Sequence, residues 1–250
     1  MRICIISDLH CKYSKLNAED KENHALILSF LEQAKDKYDL LILNGDIFDL
    51  WFDWKYTIIK QYFPLLVKLY EIGQAGCRIV HITGNHDFWF GDFLPDYLDV
   101  QLRAESFELI ADEKKIYVCH GDTHTINDFR YQSFRRLIRL PLMKKIFGLL
   151  HPDFALGLGS KMSRSSRSRK DSTELRARKN AGLRAFAKKL IKSGRADYVI
   201  MGHSHHPELI PFETGYYANS GDWISHHTYV EIISGKIEIK HYNIKKGETA

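Results

Sequence analysis

Aspartate, asparagine and histidine recur along this chain in five short clusters. They are Asp8-Leu9-His10, Gly45-Asp46, Gly84-Asn85-His86-Asp87, His120 with Gly121-Asp122 behind it, and Gly202-His203-Ser204-His205. Carboxylate and amide oxygens mixed with imidazole nitrogens are donors for divalent cations, and this mixture suits Mn, Fe or Zn. In Asp-x-His and His-x-His, residues two apart on an extended segment point to one side, so both can face one pocket. A lone Gly-Asp is a turn, and a lone histidine at a strand end is usually a hydrogen-bonded core or surface residue. Five such clusters, each directly after an apolar run, are a pattern that turns alone do not produce. The cysteines stand apart from it. Cys4, Cys11, Cys77 and Cys119 show no C-x-x-C spacing, and Cys4, Cys77 and Cys119 read as buried thiols of a reducing compartment.

Each cluster needs a strand to deliver it. Residues 2–7, 40–44, 78–83, 115–119 and 198–201 are short apolar runs that end on the five clusters. Apolar residues at helical spacing over 23–37 and 58–75 predict helices between the first three strands. This alternation predicts an α/β domain with helices covering a sheet. In such sheets ligands bind outside the carboxyl ends of the strands, which is where all five clusters fall. Glycine ahead of Asp46, Asn85 and His203 allows tight turns where a ligand approaches. Residues 107–111 predict another strand, and 229–233 and 236–242 flank Ser234-Gly235 as a hairpin.

At 250 residues and 44% hydrophobic, the chain has material for one large domain, or one domain with an insertion. No run approaches the roughly 18 apolar residues of a membrane span. The opening MRICIISDLH is too short in its apolar part for a signal peptide and is read as a strand. The net charge of +5 divides unevenly: residues 130–195 hold 19 Lys/Arg against 3 Asp/Glu, and the remainder 17 against 28. An acidic body with a basic insert excludes a uniformly basic nucleic-acid binder and points to an anionic partner met at one place. Residues 128–196 are expected to form a helical insertion between core segments 1–127 and 197–250. Within it, 163–172 reads as a loop or a solvated helix. Leu137, Leu140, Leu142, Ile146, Leu149, Phe154 and Leu158 lie among the arginines and lysines. Apolar surface beside basic groups suits an acylated, phosphorylated ligand or an anionic membrane face, although helix packing would use some of the same residues. Between 161 and 195 the only aromatic is Phe186, too few for base stacking.

In the order D-x-H, GD, GNHD, H, GHxH the chain resembles the calcineurin-like metallophosphoesterases. The resemblance implies a four-layered α/β/β/α sandwich with a centre of two divalent ions, expected to be Mn2+. Asp8, His10, Asp46 and His205 would hold one ion. Asp46, Asn85, His120 and His203 would hold the other, with Asp46 bridging. Two ions about 3.5–4 Å apart clamp phosphoryl oxygens and lower the pKa of water. Asn85, His86 and Asp87 would serve catalysis, His86 protonating the departing oxygen and Asp87 orienting its ring.

GDIFDLWF, HGDTHTINDFRYQSFRRLIRLP, GLGSKMSRSSR and GHSHHPEL are similar to the UDP-2,3-diacylglucosamine hydrolases. That similarity implies cleavage of the substrate's pyrophosphate to UMP and 2,3-diacylglucosamine 1-phosphate, in lipid A biosynthesis. It places the protein in the cytoplasm, peripherally on the anionic inner-membrane surface, with the insertion as a lid that receives acyl chains. Asp128 and Tyr131 match contacts to the sugar–nucleotide part, His203 also faces substrate, and Arg164, Arg167 and Lys170 are candidates for phosphate or glucosamine. No nucleic acid and no obligate protein partner is expected. One position departs: His86 stands where these hydrolases carry Arg, and histidine there is the pattern of the wider family. This keeps open a phosphodiesterase or phosphatase acting on another phosphoester. A metal-bound scaffold would be expected to lack donors, and none is missing.

Overall fold

The computed structural model describes residues 1–126, 129–168 and 173–243. Two sheets form the centre. The first runs β11(Lys236–His241)-β10(Thr228–Ile233)-β1(Arg2–Ile6)-β2(Leu40–Asn44)-β3(Arg78–Ile82)-β4(Val100–Arg103), with β1 to β4 parallel and β10 antiparallel to both neighbours. The second runs β5(Ser106–Ala111)-β6(Lys114–Cys119)-β7(Tyr198–Met201)-β9(Gly215–Asn219)-β8(Glu208–Phe212), with β6, β7 and β9 parallel.

The alternation of side chains along each strand explains how the sheets stack. Ile3 and Ile5 of β1, with Leu40 and Ile42 of β2, pack against Val118, Ile200 and Ala218 of the second sheet. The other face of the first sheet, through Cys4, Ile6, Leu41 and Leu43, is covered by α1(Ala18–Ala34) and α2(Phe63–Gln74). The outer face of the second sheet, through Cys119, Val199 and Met201, is covered by Leu183, Ala187 and Leu190. Both sheets are therefore buried on two sides, as their near-continuous apolar strands require. The result is the expected α/β/β/α sandwich. All four cysteines are free and buried.

Some elements begin elsewhere than periodicity predicts. The first helix starts at Ala18, because Asn17 and Asp20 form a reciprocal capping box (2.7 and 3.1 Å) ahead of the apolar stripe. The second starts at Phe63 behind a single 3-10 turn. The hairpin at Ser234-Gly235 is present, both residues taking positive φ (50° and 73°), as a two-residue turn demands.

Between β6 and β7 the described residues are mainly helical: α3(Phe93–Leu98) precedes that stretch, and α4(Phe129–Ile138), α5(Pro141–Leu149), α6(Pro152–Ser168) and α7(Thr173–Lys192) lie within it. The middle three dock on the loops that follow β1, β2 and β3. Phe147 packs between Phe52 and Trp89 at ring separations of 5.0 and 4.7 Å. Trp89 Nε1 donates to the Ile138 carbonyl, Lys144 Nζ to that of Phe90, and Tyr13 Oη to that of Leu156 (3.2, 2.7 and 2.8 Å). Gly159 of α6 lies so close to Leu50 that a Cβ would collide with it. These contacts seat the helices against the same loops that carry the acidic clusters.

Candidate metal centre

All five clusters leave the carboxyl ends of strands, from both sheets: Asp8 and His10 after β1, Asp46 after β2, Asn85 after β3, His120 after β6, and His203 and His205 after β7. The backbone bends sharply to present them. Asp8, His10, Asp46, His203 and His205 all take positive φ, between 45° and 65°. For non-glycine residues this costs on the order of 1 kcal/mol each. Five such residues in one pocket are held there by the surrounding structure, the usual mark of a functional site.

The donor atoms form two groups that share Asp46. In one, His205 Nε2 lies 3.0 Å from Asp8 Oδ1 and 3.2 Å from His10 Nε2, which is 3.8 Å from both Asp8 Oδ1 and Asp46 Oδ2. In the other, His120 Nε2 lies 3.5 Å from Asp46 Oδ2 and 3.1 Å from Asn85 Oδ1, and His203 Nδ1 lies 2.9 Å from that same amide oxygen. Asp46 thus offers Oδ2 to both sides, while its Oδ1 accepts the His86 backbone N–H at 2.8 Å.

Neighbouring groups orient these donors. His120 Nδ1 donates to the Asn44 carbonyl at 2.9 Å, which turns Nε2 toward Asp46 and Asn85 as the nitrogen that would meet a cation. Asp8 Oδ2 is held by the Ser7 hydroxyl (2.5 Å) and the His203 backbone N–H (3.0 Å). Asn219 fixes the 202–204 turn through Gly202 O and Ser204 Oγ. Gly202 has no room for a side chain, since a Cβ would meet the Asp8 carboxylate.

The electrostatics demand positive charge. Asp8 and Asp46 are fully buried, and among the described residues their only ion-pair partners are histidines. Burial pushes the Asp8 carboxyl up, but His205 and His120 outweigh it and hold it down at about 2. Burial would likewise lower His120, yet the Asp46 carboxylate pushes it up to about 10. Burial takes His203 down to about 4 and His10 well below the usual imidazole range. Asp8 Oδ1 is buried against the imidazoles of His205 and His10, and His10 Nδ1 is buried with no hydrogen-bond partner among the described residues. Two carboxylates, an amide and four imidazoles fit divalent cations that neutralise the carboxylates.

Asp87 differs from expectation. Its carboxylate does not touch the His86 ring; it accepts the backbone N–H groups of Asp46, Ile47, Phe48 and Gly84. The His86 ring instead has Nδ1 3.3 Å from the Asp49 carbonyl and 3.9 Å from Asp49 Oδ1, and meets His10 edge-on at 4.9 Å. Asp49 was not among the expected site residues. Its one signal in the sequence is its place three residues after Asp46, in GDxxD.

Tyr131 lies beside the second group, its ring 6.2 Å from that of His203, and donates to Asp122 at 3.2 Å. Asp128 and Lys170 lie outside the described residues. Arg164 and Arg167 are on α6, with side chains outside the description.

The calcineurin-like phosphoesterase family model matches residues 1–207. A UDP-2,3-diacylglucosamine hydrolase of Psychromonas ingrahamii is 28% identical over 248 residues, covering 96% of each chain. One of Porphyromonas gingivalis is 26% identical over 91% of this chain and 92% of its own. Among solved structures, an archaeal phosphodiesterase aligns at 14% identity over 96% of this chain and 99% of that one, with a TM-score of 0.49. The chain belongs to the calcineurin-like phosphoesterase family and is a metal-dependent hydrolase.

Proposed function

We propose that this protein hydrolyses the pyrophosphate of UDP-2,3-diacylglucosamine, releasing UMP and 2,3-diacylglucosamine 1-phosphate in lipid A biosynthesis. Similarity to hydrolases of that name supports the substrate. The observation that carries the reading is an apolar, basic helical segment seated directly on the loops of the donor cluster. Along α4 to α6, Leu137, Leu142, Ile146, Leu149, Phe154 and Leu158 are all exposed. These side chains are not needed to pack the helices together, so acyl chains and a bilayer face are their natural partners. Of the expected insertion 128–196, helices α4 to α6 then act as a lid, while α7 belongs to the sandwich as the cover of its second sheet, and the protein works peripherally on the cytoplasmic side of the inner membrane. No described helix is long and apolar enough to cross a membrane.

Asp8, His10, Asp46 and His205 would hold one divalent ion and Asp46, Asn85, His120 and His203 the second, manganese in our reading. Such ions supply charge to clamp phosphoryl oxygens and water of lowered pKa. Nδ1 of His86 donates to the Asp49 carbonyl, which leaves Nε2 to exchange a proton with the departing phosphate oxygen. Tyr131 lines the pocket beside His203 and contacts the sugar–nucleotide part, with Asp128, Arg164, Arg167 and Lys170 as further contacts. In the overall reaction one P–O bond of the bridge breaks and water supplies the new oxygen.

His86 also favours a second reading, hydrolysis of a different phosphoester, because histidine at this position is common to the wider family. Incubation with UDP-2,3-diacylglucosamine in detergent micelles and Mn2+ tests the two. Release of UMP supports the first. Cleavage of a chromogenic phosphodiester with no UMP from the lipid would give the second.

A further inference from the structure

Arg139, the residue that follows α4, is a cation pressed against the donor cluster without a carboxylate of its own. Its Nη2 donates to the Gly84 carbonyl at 2.6 Å, and its guanidinium lies over the Phe88 ring, 4.8 Å from the centroid. Gly84 in turn packs so tightly on Asp46 that a Cβ would collide with that carboxylate. Arg139 therefore sits one residue behind the donors of the metal centre.

Two carboxylates exert their charge on Arg139, Asp122 and Asp87, and both are already occupied. Asp122 accepts Arg135 Nε at 2.5 Å and Tyr131 Oη at 3.2 Å. Asp87 is filled by four backbone N–H groups. Nε of Arg139 is buried and, among the described residues, has no hydrogen-bond partner. Burial and the nearby Arg135 both press its pKa down, as expected of a cation left unneutralised. A half-buried cation without a counter-ion is costly unless something completes it. An arginine serving only to brace the Gly84 loop would have its donors closed by protein or turned to water. Here a carbonyl and an aromatic face fix the fork one residue from the metal donors, and among the described residues no carboxylate pairs with it.

We infer that Arg139 binds a phosphoryl oxygen of the substrate through its guanidinium, so that the turn after α4 contributes a phosphate-binding cation to the metal site. The inference rests on the site's being a phosphoester site, and is indifferent to whether the substrate is a nucleotide-linked lipid.

The test is calorimetric titration of inorganic phosphate into the manganese-loaded full chain, for the wild type, Arg139→Met and Arg139→Lys. Phosphate binding should weaken about tenfold in Arg139→Met, the loss of one hydrogen bond to a charged group. Arg139→Lys should recover part of that, keeping the charge without the fork. Manganese affinity and the far-UV circular dichroism should stay unchanged in both. Phosphate affinity equal to wild type in both variants overturns the inference. So does a parallel loss of manganese affinity, which would make Arg139 a brace for the loop, or a wild type that binds no phosphate. Should Arg139→Met not fold, Arg139→Lys decides, by a phosphate affinity that is weakened or intact. Wild-type UMP release is scored separately. Arg139-dependent phosphate binding without UMP would sink the substrate proposal and leave this one standing.

Discussion

The carboxylate of Asp87 accepts the backbone N–H of Asp46 at 3.0 Å, across forty-one positions of sequence. The same side chain takes the N–H groups of Ile47, Phe48 and Gly84 (2.8, 3.2 and 2.9 Å). One buried carboxyl group thus ties the loop after β2 to the loop after β3, and so fixes the distance between Asp46 and Asn85. It also explains how Asp46 keeps a positive φ of 53°, since its main chain is tethered from below.

Asp87→Asn should therefore damage the scaffold of the site. An amide presents N–H groups to N–H donors, leaving at least one backbone donor unsatisfied at about 1–3 kcal/mol. We expect urea denaturation to show a loss of that order, together with weaker manganese binding. Unchanged stability with lost turnover would instead return Asp87 to a direct role in catalysis.

His86→Ala separates a proton-transfer group from a metal donor. The ring is held by Asp49 and touches His10 edge-on, while its Nε2 has no hydrogen-bond partner among the described residues. Turnover of a chromogenic phosphodiester should fall by about 10²–10⁴, the usual contribution of a general acid. Metal content measured on the purified protein should not change. Since His10, Asp49 and His86 are themselves close enough to share a cation, a lost metal equivalent would assign the histidine to ligation. Asp49→Asn should show a weaker version of the same phenotype, because the backbone carbonyl that orients the ring remains.

The strands and the donors were readable from sequence for one reason: each donor cluster directly follows a buried strand, so local pattern and final position coincide. Elements lacking that coincidence were not legible. β4, β8 and β9 carry too few consecutive apolar residues, and β8 includes Pro211 on the edge of its sheet. The first turn of α1 contains Glu19, Asp20 and Lys21, which have no apolar period and are recognisable only by the capping chemistry of Asn17. Asp49, Asp87 and Arg139 owe their roles to partners about forty or more positions away in sequence. A motif can mark such residues as polar and close to a site, but which atom they hold depends on how the loops meet.

Gly84→Ala tests that meeting of loops with a single methyl group. Its Cβ would occupy space taken by the Asp46 carboxylate, whose Oδ2 lies between His10 and His120. Displacing the Asp46 carboxylate should weaken metal binding at both halves of the centre, with the circular dichroism spectrum retained. Asp46→Ala should do the same more completely. In the wild type, manganese at a hundred times its dissociation constant should add about 2.7 kcal/mol of stability. Both variants should lose most of that increment, and a full increment in either would refute Asp46 as the shared donor.

Glu231, far from the metal centre, should govern acid stability. Its Oε1 accepts Tyr38 Oη at 2.6 Å and Lys37 Nζ at 2.7 Å on the flank of β10. Burial would raise its pKa, but Lys37 and Tyr38 outweigh burial and leave it below the ordinary glutamate range. A carboxylate whose pKa is lower folded than unfolded stabilises the fold above the unfolded value, about 4.3. That stabilisation is lost as pH falls through the folded value. Wild type should accordingly be more stable than Glu231→Gln at neutral pH, and the gap should shrink as the pH is lowered past about 4. Urea denaturation in the presence of a chelator keeps the metal donors out of the comparison, and every other carboxylate titrates equally in both proteins. A gap that stays constant with pH would mean that the Tyr38 and Lys37 contacts stabilise the fold by packing alone.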